Sequence, residues 1–128
     1  NRILAKDPAN KVILTRAGDA YRSMGKHDSA EMYYNKALNI EYDTYAVIGL
    51  ALINKAKDKH NEAIPALESV ITVEPKNHRL YTEIADCYLR LNDPKKAVET
   101  LHRFQKLGIR NRYVNDMLDR LRDNSQRH

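Results

Sequence analysis

The residues best suited to chemistry in this sequence are its five histidines and its single cysteine. A zinc site needs several Cys or His ligands a few residues apart, and these residues do not have that spacing. No His-x-x-x-His pair would stand on one face of a helix either. His27 and His60 occupy equivalent positions, each three residues before an alanine, which favours packing over metal binding. We therefore expect no metal site.

Motifs for covalent or phosphate chemistry are also missing from the sequence. No serine lies in a Gly-x-Ser-x-Gly motif, and there is no glycine-rich loop that could hold a phosphate. Cys87 lies next to Tyr88 and is interpreted as a small packing residue rather than a nucleophile. As the only cysteine, it excludes an internal disulfide. We expect a protein that is not an enzyme and that uses no cofactor.

Composition narrows the classes of partner. The 128 residues include 22 Lys and Arg against 17 Asp and Glu, which gives a formal net charge of +5. Nucleic-acid binders concentrate basic residues on one face, whereas here both signs are mixed along the predicted helices. The densest basic stretch, residues 95–112, is interpreted as solvated helix surface, and no nucleic-acid partner is expected. The apolar run Val47–Ile53 is too short to span a bilayer, so no membrane insertion is expected.

The elements that must position any binding surface are most visible between Tyr81 and Phe104. One helix face is predicted by residues at i, i+3, i+4 and i+7: Tyr81, Ile84, Ala85 and Tyr88. A second apolar face with the same spacing follows a break in the pattern at residues 92–94: Ala97, Val98, Leu101 and Phe104. Asp93 suits the N-cap and Pro94 the first turn, so the second helix begins there. Two helices joined by so short a turn must lie antiparallel.

This order of residues resembles the tetratricopeptide repeat. Two sets of markers recur along the chain with a period of 33 or 34 residues. The first set is the alanine near the start of each second helix: Ala30, Ala63 and Ala97. The second set closes each repeat: Pro8, Tyr42, Pro75 and Ile109. The resemblance implies an all-α fold, a right-handed α-α superhelix of three repeats with a truncated helix before them and a capping helix after them.

The period predicts a single tetratricopeptide domain over residues 1–128. Its parts are the tail of a preceding repeat, three repeats and a capping helix: residues 1–8, 11–42, 43–75, 78–109 and 111–123. Close helix–helix contacts are expected at six small residues: Gly18, Ala30, Gly49, Ala63, Ala85 and Ala97. Because the chain begins at Asn1 without Met and shows no signal peptide, we expect it to be a fragment of a longer repeat protein.

The second repeat allows two registers. The preferred one needs a shortened loop and a lengthened turn, and it uses these residues for the helix pattern: Tyr45, Ile48, Gly49 and Leu52. The competing one needs neither change and uses these: Val47, Leu50, Ala51 and Asn54. We prefer the first, because the second places polar Asn54 where a core tyrosine belongs. It follows that Tyr45, Ile48 and Leu52 should be buried and that Leu50 and Ile53 should be accessible.

Tetratricopeptide proteins typically stack their first helices along a concave groove that holds a partner, and the resemblance implies the same here. The residues expected to bind the partner lie on the face of each first helix that points away from the second helix. They are Thr15, Asp19, Arg22, Ala46, Leu50, Ile53, Arg79, Thr82, Asp86 and Leu89. In the competing register, Ile48 and Leu52 would form the aliphatic pair of this groove.

The resemblance thus implies a non-catalytic scaffold for protein–protein interaction that binds a partner peptide or helix in a groove. The apolar middle helix, with Asp19 and Asp86 on either side of it in the sequence, favours an amphipathic segment with apolar anchors and basic residues. Tetratricopeptide domains that grip the C-terminal carboxylates of heat-shock chaperones use Lys, Asn and Arg on this face. This chain has Thr15, Asp19, Thr82 and Asp86 there, so that class of partner is not expected. The alternative is self-assembly into a homo-oligomer through exposed repeat ends.

Overall fold

The computed structural model describes residues 8–126, which form seven α-helices and no strand. The chain divides between Lys59 and His60 into two compact units. Unit 1 contains three helices: α1 (Pro8–Ser23), α2 (His27–Ile40) and α3 (Thr44–Ala56). Unit 2 contains four: α4 (His60–Ile71), α5 (His78–Arg90), α6 (Pro94–Gln105) and α7 (Arg112–Gln126). The all-α class is confirmed, and the repeat tail predicted at residues 1–8 lies outside the described residues except for Pro8.

Short polar side chains fix where four of the helices begin, because they accept hydrogen bonds from backbone N–H groups that have no partner within the helix. Asp43 accepts from the N–H of Tyr45 at 2.9 Å at the start of α3. The other three helices start in the same way, with Asn77 bonded to Arg79, Asp93 to Lys96 and Asn111 to Val114. Asp93 and Asn111 therefore cap α6 and α7 as their positions in the sequence predict.

The turns that follow α1, α3 and α5 share one backbone geometry, and this sets the register of the second repeat. Each turn contains one residue in the left-handed region: Gly25 at φ 75°, Asp58 at φ 61° and Asn92 at φ 61°. The next backbone N–H then bonds back to the helix, from Lys26 to Tyr21, from Lys59 to Asn54 and from Asp93 to Tyr88, over 2.7–2.9 Å. Asn54 thus occupies the place of Tyr21 and Tyr88. The preferred register was wrong and the competing one is observed, because the backbone geometry of the turn outweighs the polarity of one side chain.

Unit 1 is organised around the buried ring of Tyr34 on α2. A Cβ atom added to Gly18 of α1 would lie 2.7 Å from the Tyr34 ring, and one added to Gly49 of α3 would overlap the ring. At these two positions, α1 and α3 therefore contact Tyr34 through backbone atoms alone. Tyr34 belongs to a cluster with four other fully buried residues: Ala30, Ala37, Ala46 and Ile53. The close contacts predicted at Gly18 and Gly49 are confirmed.

Unit 2 has a mainly aliphatic buried core, which includes Leu67, Ile84 and Leu101, and aromatic contacts and one charged pair add to it. Tyr81 of α5 meets Phe104 of α6 edge-on, with ring centroids 5.2 Å apart. His78 stacks on Tyr113, which brings the N-terminal turns of α5 and α7 together. Arg103 of α6 donates two hydrogen bonds of 2.8 and 2.9 Å to the carboxylate of Glu68 on α4. Because this pairing is bidentate, it aligns α6 with α4 more specifically than a single contact would.

Replacing Gly49 with Ala tests the packing of Tyr34. In an exposed helix this change stabilises by up to about 1 kcal/mol. Here the new methyl group would overlap the Tyr34 ring, so we expect the free energy of unfolding to fall by about 1–3 kcal/mol in urea denaturation. Asn35→Ala on the exposed face of α2 is the control and should change stability by less than about 0.5 kcal/mol. Equal stability of Gly49→Ala and wild type would show that α3 does not pack on Tyr34.

Candidate partner-binding site

An apolar stripe of α3 lies at the surface of unit 1. It consists of residues at i, i+3 and i+7: Tyr45, Ile48 and Leu52. Tyr45 is 64% exposed, and Ile48 and Leu52 are half-buried. The adjacent stripe of the same helix, Ala46, Gly49 and Ile53, is buried in the core. One helix thus presents one apolar face to the core and a second to solvent.

Three residues predicted to face the groove belong to the core of unit 1 instead. Ala46 and Ile53 are fully buried, and Leu50 packs against the same cluster. The predicted burial of Tyr45 was wrong as well. These errors share one physical cause. The turn at Asp58 shifts the repeat pattern of α3 by two positions along the sequence relative to the preferred register, so a different set of residues faces the core. The aliphatic pair of the competing register, Ile48 and Leu52, is the one that solvent reaches.

Thr15 was also predicted to face a partner, but it is only 5% exposed. Its hydroxyl donates to Oδ2 of Asp43 at 2.5 Å, while Oδ1 of Asp43 caps α3. Thr15 therefore ties α1 to the start of α3. Thr82, its counterpart in unit 2, is half-buried and donates to the carbonyl of Arg79 in its own helix at 3.0 Å. The shared Thr-x-x-x-Asp spacing thus has two different structural roles.

Asp19 and Arg22 are partly exposed, and both form a hydrogen bond with the hydroxyl of Tyr34 on α2. This hydroxyl donates to Oδ1 of Asp19 at 2.5 Å and accepts from Nε of Arg22 at 3.0 Å. Burial of the ring, together with the hydrogen bond to Asp19, raises the pKa of Tyr34 from 10.0 to about 12. Through these two hydrogen bonds the Tyr34 hydroxyl limits the positions of both charged side chains.

This polar network lies beside the apolar stripe of α3. A Cβ atom on Gly49 would be 2.5 Å from the Tyr34 hydroxyl oxygen, so the hydroxyl touches the backbone of α3 at that point. Gly49 directly follows Ile48 and stands three residues before Leu52. We call the resulting surface the unit 1 face and define it as Asp19, Arg22, Tyr45, Ile48 and Leu52. It combines a fixed ion pair with apolar side chains, a mixture typical of sites that bind peptides.

The four candidate residues of unit 2 form a polar stripe along α5. Arg79 is exposed, and Thr82, Asp86 and Leu89 are half-buried. The charged members pair along their own helix, Arg79 with Glu83 at 3.7 Å and Asp86 with Arg90 at 3.1 Å. Exposed pairs of this kind contribute about 0–1 kcal/mol each. The α5 stripe is therefore charged and ion-paired, in contrast to the apolar stripe of α3.

Within residues 8–126, no group of three or more His, Cys, Asp and Glu side chains is arranged to hold a metal ion. None of the seven helices described is both long enough and apolar enough to cross a membrane.

The raised pKa of Tyr34 predicts how unit 1 responds to alkali. Between pH 10 and about pH 12 the unfolded chain loses the Tyr34 proton before the folded chain does, so the free energy of unfolding falls as pH rises. Tyr34→Phe lacks this proton and should lose less stability over that window in urea denaturation. Tyr33→Phe, on the same helix but outside the network, should follow the wild type. Parallel losses in Tyr34→Phe and wild type would contradict the shifted pKa.

Comparison with known proteins places this arrangement among helical repeats. Models of the tetratricopeptide repeat match residues 13–44 and residues 55–106, together more than half of the chain. Two curated proteins of Dictyostelium discoideum are each 27% identical to it. One is the general transcriptional corepressor trfA, over 89 residues, or 69% of this chain and 6% of trfA. The other is anaphase-promoting complex subunit 3, over 95 residues, or 73% of this chain and 10% of the subunit. The chain thus spans a tenth or less of these relatives.

Solved structures with the same fold extend over nearly the whole chain. The TPR2AB domain of yeast Sti1, in its complex with pHSP90, has a TM-score of 0.82 at 17% identity and covers 94% of this chain and 49% of that one. The first TPR of Spaghetti (RPAP3), bound to the HSP90 peptide SRMEEVD, has a TM-score of 0.77 at 17% identity and covers 94% and 96%. The secretion translocator chaperone SycD of Yersinia enterocolitica has a TM-score of 0.80 at 19% identity and covers 91% and 95%.

The helix pairs, their shared turns, the small residues at their contacts and the two family matches all agree. The chain belongs to the tetratricopeptide repeat family.

Proposed function

We propose that this protein is a non-catalytic interaction module whose unit 1 face binds an apolar segment of a partner protein. The observation that carries the proposal is the exposed stripe of Tyr45, Ile48 and Leu52. These residue types are usually buried, and α3 already has a complete core-facing stripe next to them. The second apolar stripe lies outside the buried cluster of unit 1, and its exposed part is suited to contact with another protein.

The partly covered state of Ile48 and Leu52 suits shallow apolar anchors. Fully burying an aliphatic side chain contributes about 1.5–3 kcal/mol, and each of these side chains has part of its surface still in water. Tyr45 adds a large, rigid aromatic side chain with few rotamers, which is the type of residue that dominates many protein interfaces. Together they suit a partner segment with two or three aliphatic or aromatic side chains.

The relatives support an interaction role without identifying the partner. Sti1 and RPAP3, which share the fold, have been solved with pHSP90 and with the HSP90 peptide SRMEEVD, and SycD is a translocator chaperone. An acidic peptide such as SRMEEVD would meet one attractive and one repulsive charge on the unit 1 face, Arg22 and Asp19, so this pair gives its carboxylates no net attraction, whereas the stripe of α3 is apolar. We therefore propose an apolar partner segment for this chain.

The proposal can be tested with peptides enriched from a phage-displayed library of random linear peptides panned on the wild-type protein. Binding of an enriched, labelled peptide is then measured by fluorescence anisotropy. Ile48→Asp and Leu52→Asp should each weaken binding on the order of tenfold or more, because a charge would be buried without a partner. Their melting temperatures should fall less than that of Leu50→Asp, since neither side chain packs on the buried cluster of unit 1.

Two controls in unit 1 make this result specific. Met32→Asp, on the exposed side of α2, should leave binding unchanged. Leu50→Asp should instead lower the melting temperature, because Leu50 packs against the core. The synthetic peptide SRMEEVD should bind more weakly than the enriched peptide. The proposal fails if no peptide is enriched, or if enriched peptides bind Ile48→Asp and Leu52→Asp as tightly as wild type.

A second candidate function, self-association, is favoured by one observation on α1. Ile13 is 62% exposed, whereas the residues 33 and 67 positions later, Ala46 and Leu80, are fully buried. Ile13 thus lies on a helix face that the other repeats cover. A second copy of this chain could cover it through an apolar helix of its own.

Molecular mass measured by light scattering over a range of concentrations distinguishes self-association from a single-chain role. If α1 mediates it, the mass should rise with concentration, and Ile13→Glu should keep the chain monomeric. Val73→Glu, a similar change at an exposed residue of unit 2, is the control and should leave the rise intact. A constant monomer mass over the whole range would rule this second function out.

A further inference from the structure

Asp19 and Arg22 have hydrogen-bonding groups that the described part of the chain does not use. Oδ1 of Asp19 accepts from Tyr34, and within residues 8–126 no donor bonds to Oδ2. Nε of Arg22 donates to Tyr34, and within the same residues its two terminal nitrogens make no hydrogen bond. The nearest of them lies 3.8 Å from Asp19, too far for one. An acceptor and a set of donors are therefore available side by side.

These groups are held in place before any ligand arrives. A free arginine side chain loses about 2 kcal/mol of rotamer entropy when it is fixed. Here the hydrogen bond from Nε of Arg22 to Tyr34 already limits the guanidinium, and that from Tyr34 to Asp19 limits the carboxylate. Tyr34 is in turn fixed by the backbones at Gly18 and Gly49. Because these side chains are already ordered, a ligand that binds them loses less free energy to ordering and binds more tightly.

The charges of the pair select a neutral ligand. A partner carboxylate would be attracted by Arg22 but repelled by Asp19, and a partner ammonium group would meet the reverse. A group that is neutral and carries both an N–H and a C=O satisfies both side chains at once. The N–H and C=O of one residue in an extended chain have this property, because both point to the same side of the chain, with the N–H donating to Asp19 and the C=O accepting from Arg22.

We propose that Asp19 and Arg22 bind the main chain of an extended partner peptide, while an adjacent side chain of that peptide packs on Ile48 and Leu52. This inference rests on the proposed function and narrows the partner to an extended segment. A helical partner would not fit this role, because the N–H and C=O groups of its interior already bond to each other. In an extended chain they are available, and alternate side chains point the same way.

The test uses the enriched peptide described above and a set of its analogues, each methylated on one backbone nitrogen. In the wild type, methylation at one position should weaken binding on the order of tenfold, the loss expected for a hydrogen bond to a charged acceptor. In Asp19→Ala the same methylation should have little further effect, because the acceptor is gone. Asp19→Asn keeps an acceptor oxygen and should recover part of the sensitivity.

Tyr34→Phe tests whether the Tyr34 hydroxyl positions Asp19 and Arg22 for binding. It keeps the ring between Gly18 and Gly49 but removes the hydroxyl that holds Asp19 and Arg22. Binding should weaken and the sensitivity to backbone methylation should decrease, while the loss caused by Leu52→Asp stays the same. A melting curve of each variant confirms that it is folded.

Two outcomes would overturn the inference and leave the proposed function intact. In the first, binding depends on Ile48 and Leu52, but no backbone methylation is coupled to Asp19. In the second, the coupling follows an Asn or Gln side chain of the peptide, which carries the same amide chemistry without involving the main chain. If binding of the enriched peptide does not depend on Ile48 and Leu52, the proposed function itself is wrong.

Discussion

The contact of Tyr34 with the backbones of α1 and α3 is the constraint on which unit 1 depends. Without a Cβ at Gly18 or Gly49, both helices come close enough for one aromatic ring to fill the space between them. The same ring carries its hydroxyl to Asp19 and Arg22 at the surface. A core contact thereby sets the positions of two surface charges. The packing that stabilises unit 1 and the geometry proposed for binding share one side chain.

Much of the fold could be predicted from the sequence, because the signals were local and repeated. The alanines at positions 30, 63 and 97 recur with the family period, and all three are fully buried. Asp93 and Asn111 cap their helices through contacts within three residues, which the sequence alone can indicate. Signals of this kind need no knowledge of how distant helices meet.

The register of α3 was mispredicted because two local signals disagreed. Asn54 is polar where the other repeats have tyrosine, which disfavours the observed register, whereas the turn that follows it favours that register. The turn was nevertheless visible in the sequence, since Gly25, Asp58 and Asn92 have the family spacing and all three residue types tolerate a positive φ. The burial of Thr15 could not be predicted in this way. It depends on Asp43, 28 residues later, and thus on how α1 meets α3.

The space around Tyr34 also restricts how this sequence can evolve. The repeat of unit 2 has Leu101 at the place of Tyr34 and Ala85 at the place of Gly18, so a smaller core residue accompanies a larger one on the facing helix. Volume is conserved across the pair rather than at either position. Substitutions at Gly18, Tyr34 and Gly49 should accordingly show epistasis, with each change tolerated only in the presence of another. Such linked positions should vary together among descendants of this sequence, and Asp19 and Arg22 should vary with them.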